Sequence, residues 1–288
     1  MSSLCNMSTD ERKCTLAVYA GLREMIAENG IECALKLAKS YGYDSSEMLY
    51  IKHECDGILA KSNEWRAAIR ASGVSVSCIS CFVDVVGTKE PYQRDEKSIE
   101  AVKRCIDLAK EIACPLVHHT LVTRLSGGNS AYPCVFNEVM GAAEEIAEYA
   151  KARGITIIYE PQGMLFNGTK GYSQFFDYIH ARHDNTGICL DVGNTLWVDE
   201  HPYPLAEKYA PHVKHVHLKD YVLDSEDDTY RTLSGRTIKE VKLGTGVIDI
   251  DRILKILESV GYNGAFSIED NSTTDYKATA ENALGIIP

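Results

Sequence analysis

KARGITIIYEPQ, residues 151–162, contains the transition on which the fold prediction depends. A helix-forming segment ends at a glycine, and a run of β-branched residues then predicts a strand from Ile155 to Gln162. Three similar runs follow: TGICLDVGN (186–194), VKHVHLKD (213–220) and GAFSIED (264–270). Segments of helical periodicity lie between them, near 172–181, 204–209 and 249–260. The second half of the chain is therefore predicted to consist of repeated βα units.

The first half of the chain shows the same alternation. Four further strand-like runs are TLAVYAGL (15–22), MLYIKHEC (48–55), VSVSCISCF (74–82) and PLVHHTLV (115–122). Between the last two, SIEAVKRCIDLAKEIA (98–113) places apolar residues every three or four positions, as in a helix. Eight strands predict an α/β fold with a single (β/α)8 TIM barrel as one catalytic domain over 1–288, although counting alone also permits an open doubly wound sheet. The longest irregular connection, Tyr221 to Val247, is expected to be a functional flap.

Composition narrows the class of function. A formal net charge of −11 argues against a nucleic-acid-binding protein, which needs clustered Lys and Arg, and favours small polar substrates. No apolar run approaches the roughly 20 residues that span a bilayer, and the charged start MSSLCNMSTDERKC does not resemble an export signal, so we expect a cytoplasmic protein without membrane association. The ten cysteines are then expected to be reduced thiols. Cys78 and Cys81 should point to opposite faces of one strand, which weakens a zinc or redox interpretation of that pair.

Four predicted strands end in residues that share one chemistry. These residues are Glu160, Asp191, His217 and Glu269. In an α/β barrel the carboxyl ends of the strands meet at one face, where three carboxylates repel one another unless a cation neutralises them. Each residue taken singly is more often a helix cap or a loop hydrogen-bond acceptor, but the four together predict a divalent metal site. Oxygen ligands with one nitrogen suit Mn²⁺, Mg²⁺ or Co²⁺ better than a structural zinc.

Five motifs in this region point to a family. They are Tyr159-Glu160-Pro161, Asp191-Val192-Gly193-Asn194, His215-Val216-His217-Leu218-Lys219-Asp220, Gly244-Thr245-Gly246 before Ile248-Asp249, and Ser267-Ile268-Glu269. In this order they resemble the xylose isomerase-like superfamily of sugar isomerases and epimerases, strongly from Ile155 to Asn271 and upstream only through the βα rhythm. The resemblance implies one divalent cation, Mn²⁺ foremost, held by Glu160, Asp191, His217 and Glu269.

The resemblance also implies a reaction. Glu160 and Glu269 are expected to be catalytic, one removing a proton next to a carbonyl of a sugar or keto-polyol and the other returning it through an enediolate. The leading prediction is thus a metal-dependent isomerase or epimerase. The alternative is a lyase on the same scaffold, such as an inosose- or dehydroshikimate-type dehydratase or a C-glycoside deglycosidase subunit. An abasic-site endonuclease is disfavoured by the acidic chain and nine histidines, and a non-catalytic sugar-binding barrel by both glutamates. Association into a homo-oligomer is left open.

Other polar residues near these strand ends are candidates for binding substrate. Asn194 stands where sugar epimerases often have a histidine. We expect its amide, which does not ionise, to bind a substrate hydroxyl, and we expect Lys219 to bind an anionic or carbonyl oxygen. His118 and His119 are adjacent in one strand, so one should face the barrel interior and the other the helices. His215 is interpreted as support for His217, with the reverse assignment as the alternative.

Overall fold

The computed structural model describes residues 14–123, 125, 131–226 and 230–287. Its strands are β1 (Thr15–Val18), β2 (Ser45–Ile51), β3 (Ser75–Phe82), β4 (Leu116–His119), β5 (Thr156–Tyr159), β6 (Thr186–Asp191), β7 (Val213–Leu218), β8 (Asp220–Leu223), β9 (Ile238–Val241) and β10 (Ala265–Ile268). Its helices are α1 (Leu22–Tyr41), α2 (Ser62–Ser72), α3 (Glu96–Ile112), α4 (Tyr132–Lys151), α5 (Gly163–Phe166), α6 (Thr169–His180), α7 (Tyr203–Tyr209), α8 (Ile250–Ser259) and α9 (Tyr276–Leu284).

Eight parallel strands form a closed barrel in the order β1-β10-β7-β6-β5-β4-β3-β2. Closure is direct, because β1 pairs in parallel with both β2 and β10. The predicted single (β/α)8 barrel is therefore confirmed, and the open doubly wound sheet is excluded. None of the helices in the described ranges is sufficiently long and apolar to cross a membrane.

The helices cover the outside of the barrel because their apolar faces repeat with helical periodicity. In α3, Ile99, Val102 and Ile106 are fully buried on the face toward the sheet. The Asp95 side chain caps this helix by accepting a hydrogen bond from the Ser98 backbone N–H, which would otherwise have no helical partner. Most of the hydrophobic core lies between such helices and the strands.

The barrel interior changes from apolar to polar along the strands. Cys78, Ile158 and Cys189 form a small apolar cluster separate from the main core. Residues two positions apart on a strand point to the same side, so Ser80, Glu160 and Asp191 follow these three toward the carboxyl ends. This change concentrates polar side chains at one end of the barrel.

The connection from Tyr221 to Val247 corrects one expectation. It is not irregular throughout, because β8 and β9 pair as an antiparallel hairpin, with Asp220 opposite Val241 and Leu223 opposite Ile238. Leu223 and Ile238 form an apolar cross-strand pair, which the abundance of Asp, Ser, Thr and Gly between the two strands concealed in the sequence.

The carboxylate of Asp220 anchors this hairpin to the barrel. Asp220 is fully buried and follows β7 by two residues. Its Oδ1 accepts hydrogen bonds from the backbone N–H groups of Tyr221 and Ile248, and its Oδ2 accepts from Gly244 and Gly246 at 3.1 and 2.7 Å. A Cβ on Gly246 would lie 2.2 Å from Asp220 Oδ1, so this position requires glycine.

Replacing Asp220 by Asn should therefore destabilise the protein. One amide NH₂ would face two backbone N–H donors, and we expect the free energy of unfolding to fall by about 2–4 kcal/mol, measured by urea denaturation. Asp224→Asn is the control, because that carboxylate pairs with Arg236 at the exposed surface of the same hairpin. Equal effects of the two substitutions would contradict the anchoring role of Asp220.

Candidate functional site

The four residues at the predicted strand ends converge on one atom, Nδ1 of His217. Glu160 directly follows β5, Asp191 ends β6, His217 lies near the end of β7, and Glu269 directly follows β10. The distance from His217 Nδ1 is 3.3 Å to Glu160 Oε2, 3.3 Å to Glu269 Oε2 and 3.8 Å to Asp191 Oδ2. The structure thus brings together the four side chains that the sequence singled out.

Two of the three carboxylates have one oxygen held by the protein and the other directed to the centre. Asp191 Oδ1 accepts from the backbone N–H groups of Gly193 and Asn194 at 2.8 and 2.7 Å. Glu160 Oε1 accepts from Asn194 Nδ2 at 2.5 Å. Because these contacts fix the carboxylate planes, Asp191 Oδ2 and Glu160 Oε2 are oriented toward His217 without a rearrangement.

A buried carboxylate below His217 sets the orientation of its ring. Both oxygens of Glu47 lie 3.0 Å from His217 Nε2, and Glu47 Oε2 lies 2.8 Å from His215 Nε2. With Glu47 ionised, Nε2 of His217 donates a hydrogen bond to it, so Nδ1 faces the other three carboxylates. His215 contacts Glu47 one layer deeper in the barrel, which agrees with a supporting position.

The sequence pattern did not single out Glu47. The second strand was predicted to begin at Met48, whereas β2 begins at Ser45. Ser-Ser-Glu has low strand propensity and follows a Gly and an Asp, which together resemble a turn. Side chains alternate between the two faces of a strand, and this alternation could have indicated that Glu47 faces the barrel interior. It does so only once the start of the strand is known.

A chain of polar contacts links Glu47 to Glu160. Ser80 Oγ donates to Glu47 Oε1 at 2.5 Å and lies 3.0 Å from His118 Nδ1. His118 Nε2 in turn lies 3.3 Å from Glu160 Oε2. His118 therefore faces the barrel interior, beside the four converging residues.

His119 does not join this group, contrary to its inclusion among the expected substrate-binding residues. Its Nδ1 lies 2.9 Å from the Thr120 carbonyl oxygen, and its ring packs edge-on against Tyr159. The alternation of side chains along β4 sends it to the opposite face from His118. A second residue that the sequence did not indicate, Tyr19, stacks on the ring of His217 with centroids 5.1 Å apart.

Lys219 contributes a positively charged side chain to the site. It is buried, and its Nζ lies 2.8 Å from both Asp191 Oδ2 and Glu269 Oε2 and 3.5 Å from Asn194 Oδ1. Burial lowers the pKa of Lys219, but the charges of Asp191 and Glu269 outweigh that effect and raise it well above the usual value. Lys219 is thus charged at neutral pH and reduces the repulsion between the carboxylates.

The two glutamates differ in proton affinity. Burial opposes the ionisation of Glu160, but the charges of His217 and His118 prevail and lower its pKa to about 2. Burial raises the pKa of Glu269 to about 7, although Lys219 and His217 act in the opposite direction. Glu269 is therefore the more basic of the two glutamates.

The donor atoms fit a divalent cation. The Nδ1 of His217 is buried and has no hydrogen-bond partner among the described residues. Ligands bound at roughly 2.1 Å in octahedral geometry are about 3 Å apart when adjacent and about 4 Å when opposite, a range that includes the distances of 3.3 to 3.8 Å around this atom. Asp191, His217 and Glu269 offer donor atoms that all lie within 4.8 Å of one another, and Glu160 lies beside them at 3.3 Å from His217 Nδ1.

The xylose isomerase-like TIM barrel family matches residues 35–286, and the chain belongs to this family. Inosose dehydratase 1 of Bacillus cereus is 26% identical over 141 residues, which is 46% of either chain. The chain thus spans about half the length of this curated relative.

Two solved structures show the same fold over nearly the whole chain. A xylose isomerase-like TIM barrel protein from Mycobacterium smegmatis, in complex with magnesium, is 18% identical, with a TM-score of 0.73 over 98% of this chain and 97% of that one. An L-ribulose 3-epimerase is 19% identical, with a TM-score of 0.71 over 95% and 93%. Relatives within this family are enzymes of different reaction classes.

Removing the Glu47 charge should destabilise the protein in its metal-free form. In Glu47→Gln an amide NH₂ would replace one acceptor beneath His215 and His217, and we expect a loss of about 3–5 kcal/mol in the free energy of unfolding. The measurement is chemical denaturation in the presence of a chelator. Glu54→Gln is the matched control, since Glu54 pairs with Arg23 outside the barrel and should have a much smaller effect. A Glu47→Gln protein as stable as the control would rule out this role for Glu47.

Proposed function

We propose that this protein is a divalent-metal-dependent enzyme that removes a proton next to a carbonyl group of a sugar or keto-polyol, and that its outcome is isomerisation or epimerisation. The observation that carries the proposal is the placement of Glu160 and Glu269, both 3.3 Å from His217 Nδ1. Two carboxylates beside one centre suit a reaction in which one group takes a proton and another returns it.

In this proposal Glu160, Asp191, His217 and Glu269 hold the cation, which is Mn²⁺ foremost, with Mg²⁺ or Co²⁺ as substitutes. The bound cation supplies Lewis-acid stabilisation of the negative charge that develops on the substrate oxygens. Asp191 and His217 chiefly position it, because backbone N–H groups hold the former and Glu47 holds the latter. The two glutamates also transfer protons.

The remaining polar residues orient the substrate. Lys219 has its ammonium group beside Glu269, where it can donate a hydrogen bond to a carbonyl or anionic oxygen. Asn194 is already bonded to Glu160 through Nδ2, so its Oδ1 is the atom left to accept from a substrate hydroxyl. His118 Nε2 lies 3.3 Å from Glu160 Oε2, the oxygen that Asn194 does not bind. Each contact also keeps a reacting carboxylate in position.

A dehydratase is the second candidate, supported by the inosose dehydratase relatives and by Lys219. Elimination starts with the same proton removal, but a hydroxyl on the next carbon must then leave with a proton. Glu269, with a pKa of about 7, can supply that proton, and the Lys219 ammonium 2.8 Å from its Oε2 can donate a hydrogen bond to the departing oxygen. The two candidate reactions use the same base. They differ in whether the enediolate that forms is protonated again or loses a hydroxyl group.

Metal binding can be tested apart from catalysis. We expect Mn²⁺ to raise the unfolding temperature of the metal-free protein, with about 2.7 kcal/mol of stabilisation at 100 times the dissociation constant. Asp191→Asn should abolish this shift, because it removes the charge of one donor. Asp270→Asn should retain it, since the Asp270 carboxylate is also buried but accepts from Ser272. A shift that survives in Asp191→Asn would exclude this set of ligands.

Catalysis is tested by proton exchange. Ketohexoses, inososes and 3-keto glycosides are incubated with the Mn²⁺-loaded protein in heavy water, and exchange is followed by NMR. Glu160→Gln and Glu269→Gln should each slow the reaction by roughly 10²–10⁴-fold, as expected for loss of a general acid or base. Glu240→Gln is the control, because Glu240 is at the same barrel end but accepts from the Asn271 backbone.

Product chromatography separates the two candidates. Exchange accompanied by an epimer or isomer supports the leading proposal, and exchange accompanied by loss of water supports the dehydratase. If both glutamine variants retained wild-type exchange rates, neither reaction could depend on these carboxylates.

A further inference from the structure

Three cysteines meet on the outer side of the barrel wall, away from the site described above. They are Cys55, in a 3-10 helix (Lys52–Cys55) after β2, Cys81 in β3 and Cys105 in α3. Cys55 Sγ lies 3.7 Å from both Cys81 Sγ and Cys105 Sγ, and all three sulfurs lie within 4.8 Å of one another. Each of the three residues has no exposed surface.

We propose that these three cysteines form a binding site for a soft, thiophilic cation, with Cu⁺ as the ion that fits it. Sulfur is the only side-chain donor type present: no His, Asp or Glu of the described residues joins the three within 4.8 Å. Thiolates select Cu⁺, zinc or iron–sulfur clusters over the hard cations that suit the carboxylate site.

The geometry favours a three-coordinate ion over a four-coordinate zinc ion or a disulfide bond. Zinc in a structural site requires four ligands, and the complete burial of this group leaves no position for a water molecule as the fourth. With metal–sulfur bonds of roughly 2.3 Å, two thiolates can share one ion when they lie up to about 4.6 Å apart, so the separations of 3.7 Å need no backbone movement. A disulfide would use two of the sulfurs and leave the third without a role.

Binding of a cation is coupled to deprotonation of the cluster. Each thiol of the three that carries a proton releases it to solvent as the ion binds.

A surface cavity lies beside the chain neighbours of two of these cysteines. Asp56 and Arg104, next to Cys55 and Cys105, line this cavity of about 590 Å³. They form an ion pair at 3.1 Å in which both side chains are exposed, so it can open at little cost. The sulfurs themselves have no exposed surface, so entry of an ion requires a local opening of the structure.

The test uses the full-length, reduced protein with its carboxylate site loaded with Mg²⁺, titrated anaerobically with Cu⁺ in competition with bicinchoninate. We expect one tightly held Cu⁺ per chain, and X-ray absorption should show three sulfur neighbours and no nitrogen or oxygen. Cys55→Ser, Cys81→Ser and Cys105→Ser should each weaken binding by more than the roughly 10–100-fold that loss of a supporting contact causes.

Two matched variants serve as controls. Cys33→Ser removes an exposed thiol, and Cys114→Ser removes a buried thiol whose sulfur donates to the Leu116 carbonyl oxygen. Both should bind Cu⁺ as the wild type does. If a cluster variant fails to fold, the sulfur-only coordination of the wild type still decides the question. Retention of affinity in Cys55→Ser, a coordination shell containing nitrogen or oxygen, or no tight Cu⁺ binding by the wild type would overturn the proposal.

Discussion

The contact between Glu47 and His217 supports the arrangement of the rest of the candidate site. A carboxylate without exposed surface accepts from two imidazoles, and in doing so it determines which nitrogen of His217 faces the three carboxylates above. Without that contact the ring could rotate or change tautomer, and the centre on which Glu160, Asp191 and Glu269 converge would be lost. The barrel makes the contact possible, since β2 and β7 are not neighbours in the sheet and meet only across its interior.

In two carboxylates of the site, the two oxygens have different roles. In Asp191 and Glu160 one oxygen accepts from a backbone N–H or from Asn194, and the other points toward His217. A carboxylate held in this way keeps its orientation while its charge remains available. Lys219 adds a positive charge between Asp191 and Glu269, which lowers the electrostatic cost of keeping several acids together in a buried place.

The segment His217-Leu218-Lys219-Asp220 connects this site to the hairpin that follows. His217 and Lys219 are two residues apart and both face the interior, whereas Asp220 turns to the backbone of the loop around Gly244 and Gly246. Because side chains alternate along an extended chain, neighbouring residues of this short segment contact either the charged centre or the loop. A change in this segment affects both the site and the hairpin.

The sequence by itself determined the barrel and the four converging residues. Both follow from local patterns: strand and helix periodicities define the βα units, and a polar residue at the end of each parallel strand must lie at the same face of the sheet. The tertiary structure decided what depends on contacts between distant segments. Glu47 lies 170 residues from His217 in the chain, and only barrel closure places them together. Likewise, three separate elements bring Cys55, Cys81 and Cys105 into contact. The tertiary structure also decided that His118 and not His119 faces the barrel interior, and that β8 pairs with β9. Both depend on the register between strands, which a single sequence does not contain.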